Sequence, residues 1–153
     1  MYFLGLDIGS SSVKAALVEA KSGKSIQSVH EPKNEMSISS LKNDWAEQDP
    51  NVWWKYTCTA IKRVCKESNI DPKKIISIGI SYQMHGLVIV DKNVEPLRDS
   101  IIWCDSRAVN IGNDAYEKLG KDKCMSHLLN SPGNFTASKL KWVKENEPEV
   151  YEK

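Results

Sequence analysis

Asp7 stands where an apolar run opens into a Gly-Ser turn, in the stretch Gly5-Leu6-Asp7-Ile8-Gly9-Ser10-Ser11-Ser12-Val13-Lys14. A carboxylate at the end of a buried strand is costly unless it has a task or partners. Gly9 admits backbone conformations that other residues avoid. Successive backbone N–H groups in such a turn can converge on phosphate oxygens. Ser10, Ser11 and Ser12 add hydroxyl donors, and Lys14 adds a positive charge. A carboxylate beside phosphates is normally reconciled by Mg²⁺, which takes one or two carboxylates plus waters. The chemistry on offer is a hairpin that cradles nucleotide phosphates, with Asp7 on the metal side. The competing reading is a plain turn in which Asp7 caps loop N–H groups and the serines are solvated. The stretch has neither the GxxxxGK[ST] nor the GxGxxG pattern.

A second constellation is Ser81-Tyr82-Gln83-Met84-His85-Gly86, at the end of the apolar run Lys74–Ser81. Polar groups at a strand end, before a glycine, are well placed to face a cleft. Gln83 and His85 both donate and accept hydrogen bonds, which suits a polyhydroxy substrate. The alternative is a satisfied structural histidine beside a packing methionine.

The elements that position these groups follow from patterning. Tyr2–Ile8, Val13–Ala20 and Lys24–His30 read as three short strands separated by tight turns, an antiparallel meander. Glu31–Asp44 is a surface loop. Asp49-Pro50 is a helix start, with an acceptor at the cap and a proline whose missing N–H costs nothing. That helix is expected to reach about residue 68 with Trp54, Cys58, Ile61 and Cys65 as its apolar stripe, ended by Asn69 and Asp71-Pro72. Lys74–Ser81 reads as a central strand. Leu87–Val90, turned by Asp91-Lys92-Asn93, and Ile101–Cys104 are further strands. Helices are expected over Asn110–Leu119, Lys123–Leu129 and Thr136–Asn146, the last with Leu140 and Val143 on its packed face. The order suits an α/β sheet with an antiparallel flank.

The 153 residues suffice for one domain with a core, and 41% hydrophobic and 27% charged residues are ordinary for a globular chain. A net charge of +1 provides no general attraction to nucleic acid or to a membrane, so neither is expected as a partner. No apolar run approaches a membrane span, and the N-terminus lacks the charge and length of a signal peptide. Cys58, Cys65, Cys104 and Cys124 include no CxxC pair. They are expected to be free thiols in a reducing cytoplasm.

The Asp7 stretch resembles the first phosphate motif of the actin, hexokinase and Hsp70 ATPase superfamily, an Asp-x-Gly-Ser/Thr hairpin between the first two strands. GISYQMHGLVIVD resembles the xylulokinase-like branch of the FGGY carbohydrate kinase family. Trp45-Ala46-Glu47-Gln48-Asp49-Pro50, Ile102-Trp103-Cys104-Asp105-Ser106-Arg107 and Phe135-Thr136-Ala137-Ser138-Lys139-Leu140-Lys141-Trp142 are similar to further motifs of that family, in its order. The resemblance spans the whole chain. It implies a ribonuclease H-like α/β fold, a mixed sheet with flanking helices and an antiparallel meander.

The resemblance also implies roles. Asp7 would serve catalysis by holding the metal and phosphates. Gly9, Ser10, Ser11, Ser12 and Lys14 would meet ATP phosphate. Gln83, Met84, His85, Trp103 and Asp105 would meet the sugar, with Arg107 orienting Asp105. Glu47, Asp49 and Trp142 read as structural residues even within the family. Tyr82, Cys104, Asn134 and Ser138 depart from the family's common residues, which bears on the choice of sugar.

The implied cofactors are ATP and Mg²⁺, and the implied activity is phosphorylation of D-xylulose to D-xylulose 5-phosphate. The alternatives are a ribulose, fuculose, gluconate or glycerol type of kinase, or a non-catalytic sugar- or phosphate-binding module. Residues 1–153 read as part of an N-terminal domain, without the family's general base or its C-terminal ATP-binding domain, and inactive alone. The missing part of the same protein is then a partner. The apolar run Ile75–Ile80 and the last helix are expected to be bare, which favours self-association and a homodimer.

Overall fold

The computed structural model describes residues 1–153. In chain order the elements are β1 (Tyr2–Ile8), β2 (Val13–Glu19), β3 (Ser25–Glu31), β4 (Glu47–Gln48), α1 (Pro50–Glu67), β5 (Ile75–Tyr82), β6 (Ser100–Ile101), α2 (Val109–Leu119), α3 (Lys121–His127), α4 (Thr136–Asn146) and α5 (Pro148–Tyr151). Short 3₁₀ turns lie at Pro72–Lys74 and Pro132–Asn134. The chain forms two compact units. One is Met1–Ser37 with Asn51–Gln83, and the other is Ile38–Pro50 with Met84–Lys153.

In the first unit the alternating residues of the meander sort by face. Leu4 and Leu6 of β1, Val13, Ala15 and Leu17 of β2 and Val29 of β3 form a core with Ala60, Val64 and Cys65 of α1. The sheet order is β3-β2-β1-β5. β1 is antiparallel to β2 and parallel to β5, which makes the sheet mixed, as expected. The helix stripe matches the expectation in part, with Cys65 buried and Ile61 packed partly buried against the core. Its buried residues are Thr57, Ala60, Val64 and Cys65, whereas Trp54 is 69% exposed. The small side chains at Thr57 and Ala60 let the helix approach the sheet, whereas Trp54 stands near the start of α1, before the first of its buried residues. Arg63 of α1 pairs with Glu31 at 2.7 Å and with Glu67 at 2.7 Å, tying the helix to the end of β3.

β5 is an edge strand here, not a central one. Ile78 and Ile80 lie in register with Leu4 and Leu6 of β1 and so share their face. They nevertheless remain exposed, at 55% and 60%. The bare isoleucine run expected from the sequence is therefore present.

In the second unit β4 and β6 pair antiparallel, Glu47 opposite Ile101 and Gln48 opposite Ser100. Leu87–Val90 forms no strand, only single bridges from Leu87 to Ile101 and from Val90 to Pro96. Its turn is held by Asp91, whose carboxylate accepts from the N–H groups of Asn93 (2.8 Å) and Glu95 (2.9 Å). These bonds, that of Glu95 foremost, hold the Asp91 carboxyl below the usual carboxylate range. The strand expected over Ile101–Cys104 shortens to Ser100–Ile101, because Trp103 and Cys104 enter a turn. α2 ends at Gly120 (φ 88°), as the glycine predicts. α4 runs over the expected residues, but its buried face is Ser138, Lys139 and Val143, and Leu140 is 39% exposed.

Candidate functional site

The hairpin between β1 and β2 positions the phosphate-side residues. Asp7 and Lys14 are cross-strand partners, and their side chains meet at 2.9 Å. Both are open to solvent, 47% exposed for Asp7 and 61% for Lys14. An exposed pair of this kind is worth about 0–1 kcal/mol, so either group is readily released to another partner. Gly9 does not have a positive φ. What requires glycine there is closeness: its N–H donates to Ser12 O at 3.1 Å, and an added Cβ would lie 3.1 Å from that oxygen. Ser11 is exposed on the turn, and its carbonyl accepts from Met36 N–H at 2.9 Å. No group of three or more His, Cys, Asp and Glu side chains comes together as a metal cage. A single accessible carboxylate still fits Mg²⁺, which keeps waters and takes phosphate oxygens.

Gln83 continues the pairing of β5 with β1, its N–H donating to Ile8 O at 3.0 Å. Both amide atoms of its side chain are buried without a partner in the protein. Such groups are rare in native structures and mark sites that take polar ligands or water.

In the second unit the Met84-His85 turn is held from several sides. His85 has φ 62°, a left-handed conformation uncommon for a residue with a side chain. Its ring stacks on Phe135 at 4.7 Å between centroids, with 16° between the planes. Met84 is 66% exposed. Thr136 Oγ1 donates to Gly86 O at 3.2 Å, and Lys139 Nζ donates to His85 O at 2.8 Å. Trp103 is 47% exposed, and its carbonyl accepts from Asn134 Nδ2. Met84, His85 and Trp103 are thus accessible and anchored to one framework built from residues 134–139.

Asp105 has a different place from the one expected. It is fully buried. Its carboxylate accepts from Ala46 N–H (2.6 Å), from Arg107 N–H (3.0 Å) and from the Arg107 guanidinium through Nε and Nη2 (2.7 Å for the latter). Those donors use up the roughly four lone-pair positions of a carboxylate, leaving none for a sugar hydroxyl. Asp105 is therefore corrected from a substrate contact to an anchor of the turn that carries Trp103.

The anchor extends outward. Arg107 Nη1 lies 2.7 Å from Glu47 Oε1, in ion contact but off the hydrogen-bonding direction. Glu47 also pairs with Arg98, which reaches Glu147 at 2.5 Å. The Arg107 guanidinium sits 3.7 Å from the Trp45 ring, which meets Trp142 edge-on at 5.3 Å. Glu47 and Trp142 thus pack within this framework, as anticipated, and Trp45 joins them.

Lys139 is the residue that sequence reasoning passed over. It is fully buried. Burial lowers its ammonium pKa to about 8, with Asp105 and then Cys104 acting to raise it and Arg107 to lower it further. The available signal was a lysine four residues before Val143, on the inward face of α4.

A family model described as the N-terminal domain of the FGGY family of carbohydrate kinases matches residues 2–153. The chain belongs to the FGGY family of carbohydrate kinases. The xylulose kinase of Bacillus subtilis is 36% identical over 157 residues, covering 99% of this chain and 30% of that protein. Among solved structures, a xyloylose kinase from Brucella ovis superposes with a TM-score of 0.86 at 32% identity, covering all of this chain and 31% of its own. A gluconate kinase from Lactobacillus acidophilus gives a TM-score of 0.82 at 28% identity, covering 99% of this chain and 30% of its own. The mixed sheet with flanking helices is thus the actin- and hexokinase-like fold of FGGY kinases. The chain spans about 30% of the length of the curated relative it matches. No helix is long and apolar enough to cross a membrane.

Proposed function

We propose that this chain is the sugar-facing N-terminal part of an ATP-dependent pentulose kinase that converts D-xylulose to D-xylulose 5-phosphate. The observation that carries the reading is the exposed Met84-His85 turn, tied through Phe135 and Asn134 to the Trp103 carbonyl, in a chain similar to xylulose kinases. His85 would exchange hydrogen bonds with ketose hydroxyls, Met84 would pack on the carbon chain, and the Trp103 face would lie against C–H edges. The orphaned Gln83 amide supports a further polar contact. Asp7 would hold Mg²⁺, and Gly9, Ser10, Ser11, Ser12 and Lys14 would line the phosphates. The metal supplies charge neutralisation at the transferring phosphoryl group.

The reaction joins a ketose hydroxyl oxygen to the γ-phosphorus of ATP and releases ADP. No carboxylate of residues 1–153 is assigned as the base that takes the hydroxyl proton. We place that base and an ATP-binding domain in a further part of the same protein, and the reaction in the cytoplasm. Phosphoryl transfer relies on positioning and charge stabilisation, so this part alone gives no turnover. A kinase for a related acid or polyol is the second reading, favoured by Tyr82, which is 72% exposed at the end of β5.

The test is ATP-dependent phosphorylation by the complete protein over D-xylulose, D-ribulose, fuculose, gluconate and glycerol. D-xylulose should have the highest kcat/KM, residues 1–153 alone should show no turnover, and Asp7→Ala should lower kcat by about a thousandfold with sugar binding retained. Preference for gluconate would move the assignment to the second reading. Sugar binding without turnover of any substrate would leave a binding module.

A further inference from the structure

Lys139 lies in the first turn of α4, where the helix dipole already disfavours a cation. It is also buried, which disfavours the charge again. A lysine placed so expensively needs strong partners. Nζ donates to two main-chain carbonyls far apart in sequence, His85 O at 2.8 Å and Asn134 O at 3.3 Å. The first belongs to a residue held in the left-handed region. The second belongs to the residue whose side chain donates to Trp103 O and whose neighbour Phe135 stacks on the His85 ring. One ammonium therefore sits where the two sugar-facing segments are joined.

We propose that Lys139 is a positioning residue for sugar binding, tying the His85 main chain to the Asn134 turn and so setting His85 relative to Trp103. The proposal rests on the sugar-facing role given above to Met84, His85 and Trp103. Lys139 itself touches no substrate. The charged and titratable groups around it are Asp105, Arg107 and Cys104, with Glu47 behind Arg107. Asp105 is committed to Arg107 and Ala46, so its attraction steadies the ammonium without drawing it off the two carbonyls. Methionine matches the length and unbranched shape of the lysine side chain and removes the donors together with the charge, which makes Lys139→Met the informative change.

The experiment uses the complete protein. Lys139→Met should raise KM for D-xylulose about tenfold or more, with KM for ATP within about twofold and kcat little changed. An unchanged ketose KM, or equal changes for both substrates, overturns the proposal. In the same samples, hydrogen exchange read by mass spectrometry should quicken about tenfold in peptides covering residues 84–87 and 132–136, and stay unchanged over residues 2–19. If the wild type phosphorylates no pentulose, the functional reading falls, and the exchange data decide the clamp by themselves, unchanged rates overturning it. If the variant does not fold, trace acetylation of the wild type decides. Corrected for the larger neutral-amine fraction that its lowered pKa gives, Lys139 should be labelled at under about a tenth of the rate of Lys141, and equal corrected rates overturn the proposal.

Discussion

Asp105, Arg107, Glu47, Arg98, Glu147 and Lys139 bring three anionic and three cationic side chains into one connected region of the second unit. Removing one member strands its partner, and breaking a buried pair costs about 3–5 kcal/mol. Asp105→Ala should therefore lower the unfolding free energy by about that much in urea titrations at neutral pH. If Asp105 bound sugar instead, the same change would leave stability intact and raise the ketose KM. Lys139 makes a separate, pH-dependent contribution. Folded, it loses its proton near pH 8; unfolded, near the ordinary lysine value of 10.5. Between those values the unfolded chain binds more protons, so stability rises with pH, by at most about 1.4 kcal/mol per unit. Cys65 opposes this, because burial raises its thiol pKa and stability falls once pH passes the value of the unfolded thiol. The difference between wild type and Lys139→Met isolates the lysine. It should move in favour of the wild type from about pH 8 to about pH 10. A flat difference in chemical melts would show that Lys139 is not buried as a cation.

Gly112 shows what an element needs beyond propensity. Alanine is better than glycine inside a helix by about 1 kcal/mol, so sequence logic alone would welcome Gly112→Ala in α2. The structure reverses the sign. An added Cβ would stand 2.3 Å from Gly133 Cα, 2.4 Å from Pro132 O and 2.6 Å from Gly133 N, all main-chain atoms that cannot swing aside. Overpacking costs about 1–3 kcal/mol. Gly112→Ala should thus destabilise the chain by up to roughly 2 kcal/mol net in urea melts, and a stabilised variant would show that α2 does not pack this tightly. The same contact supports the site, because the 3₁₀ turn at Pro132–Asn134 that α2 touches is the one that carries Asn134. Helix limits themselves were readable from local signals. Asp49-Pro50 starts α1, and Gly120 separates α2 from α3. The inward faces were not so readable, because α1 is oriented by the small residues that fit the sheet and not by its largest apolar side chain.

At the scale of the whole molecule, the open edge dominates. Ile76, Ile78 and Ile80 are 51%, 55% and 60% exposed along one strand, with Tyr82 beyond them. A contiguous apolar edge strand invites pairing with another chain. Residues 1–153 should self-associate at tens of micromolar, roughly, and Ile78→Lys with Ile80→Lys should return them to monomer in sedimentation velocity. Because both side chains are already exposed, the two substitutions should change stability by only about 0.5 kcal/mol each. A wild-type chain that stays monomeric would remove the edge as an association surface.

Much was determined by the sequence by itself, wherever the deciding interaction is local. The β1–β2 hairpin with Asp7 facing Lys14, the proline that opens α1, and the span of α4 all depend on residues a few positions apart. The tertiary structure alone decided what depends on distant partners. Asp105 lies 59 residues from the Ala46 N–H that helps fill its carboxylate, and Lys139 lies 54 residues from the His85 carbonyl that it holds. A motif quotes such residues without showing whether they face a ligand or each other. The reason is energetic: a buried charge is tolerated only where matching donors or acceptors surround it, and which groups those are is settled by the packing of whole elements.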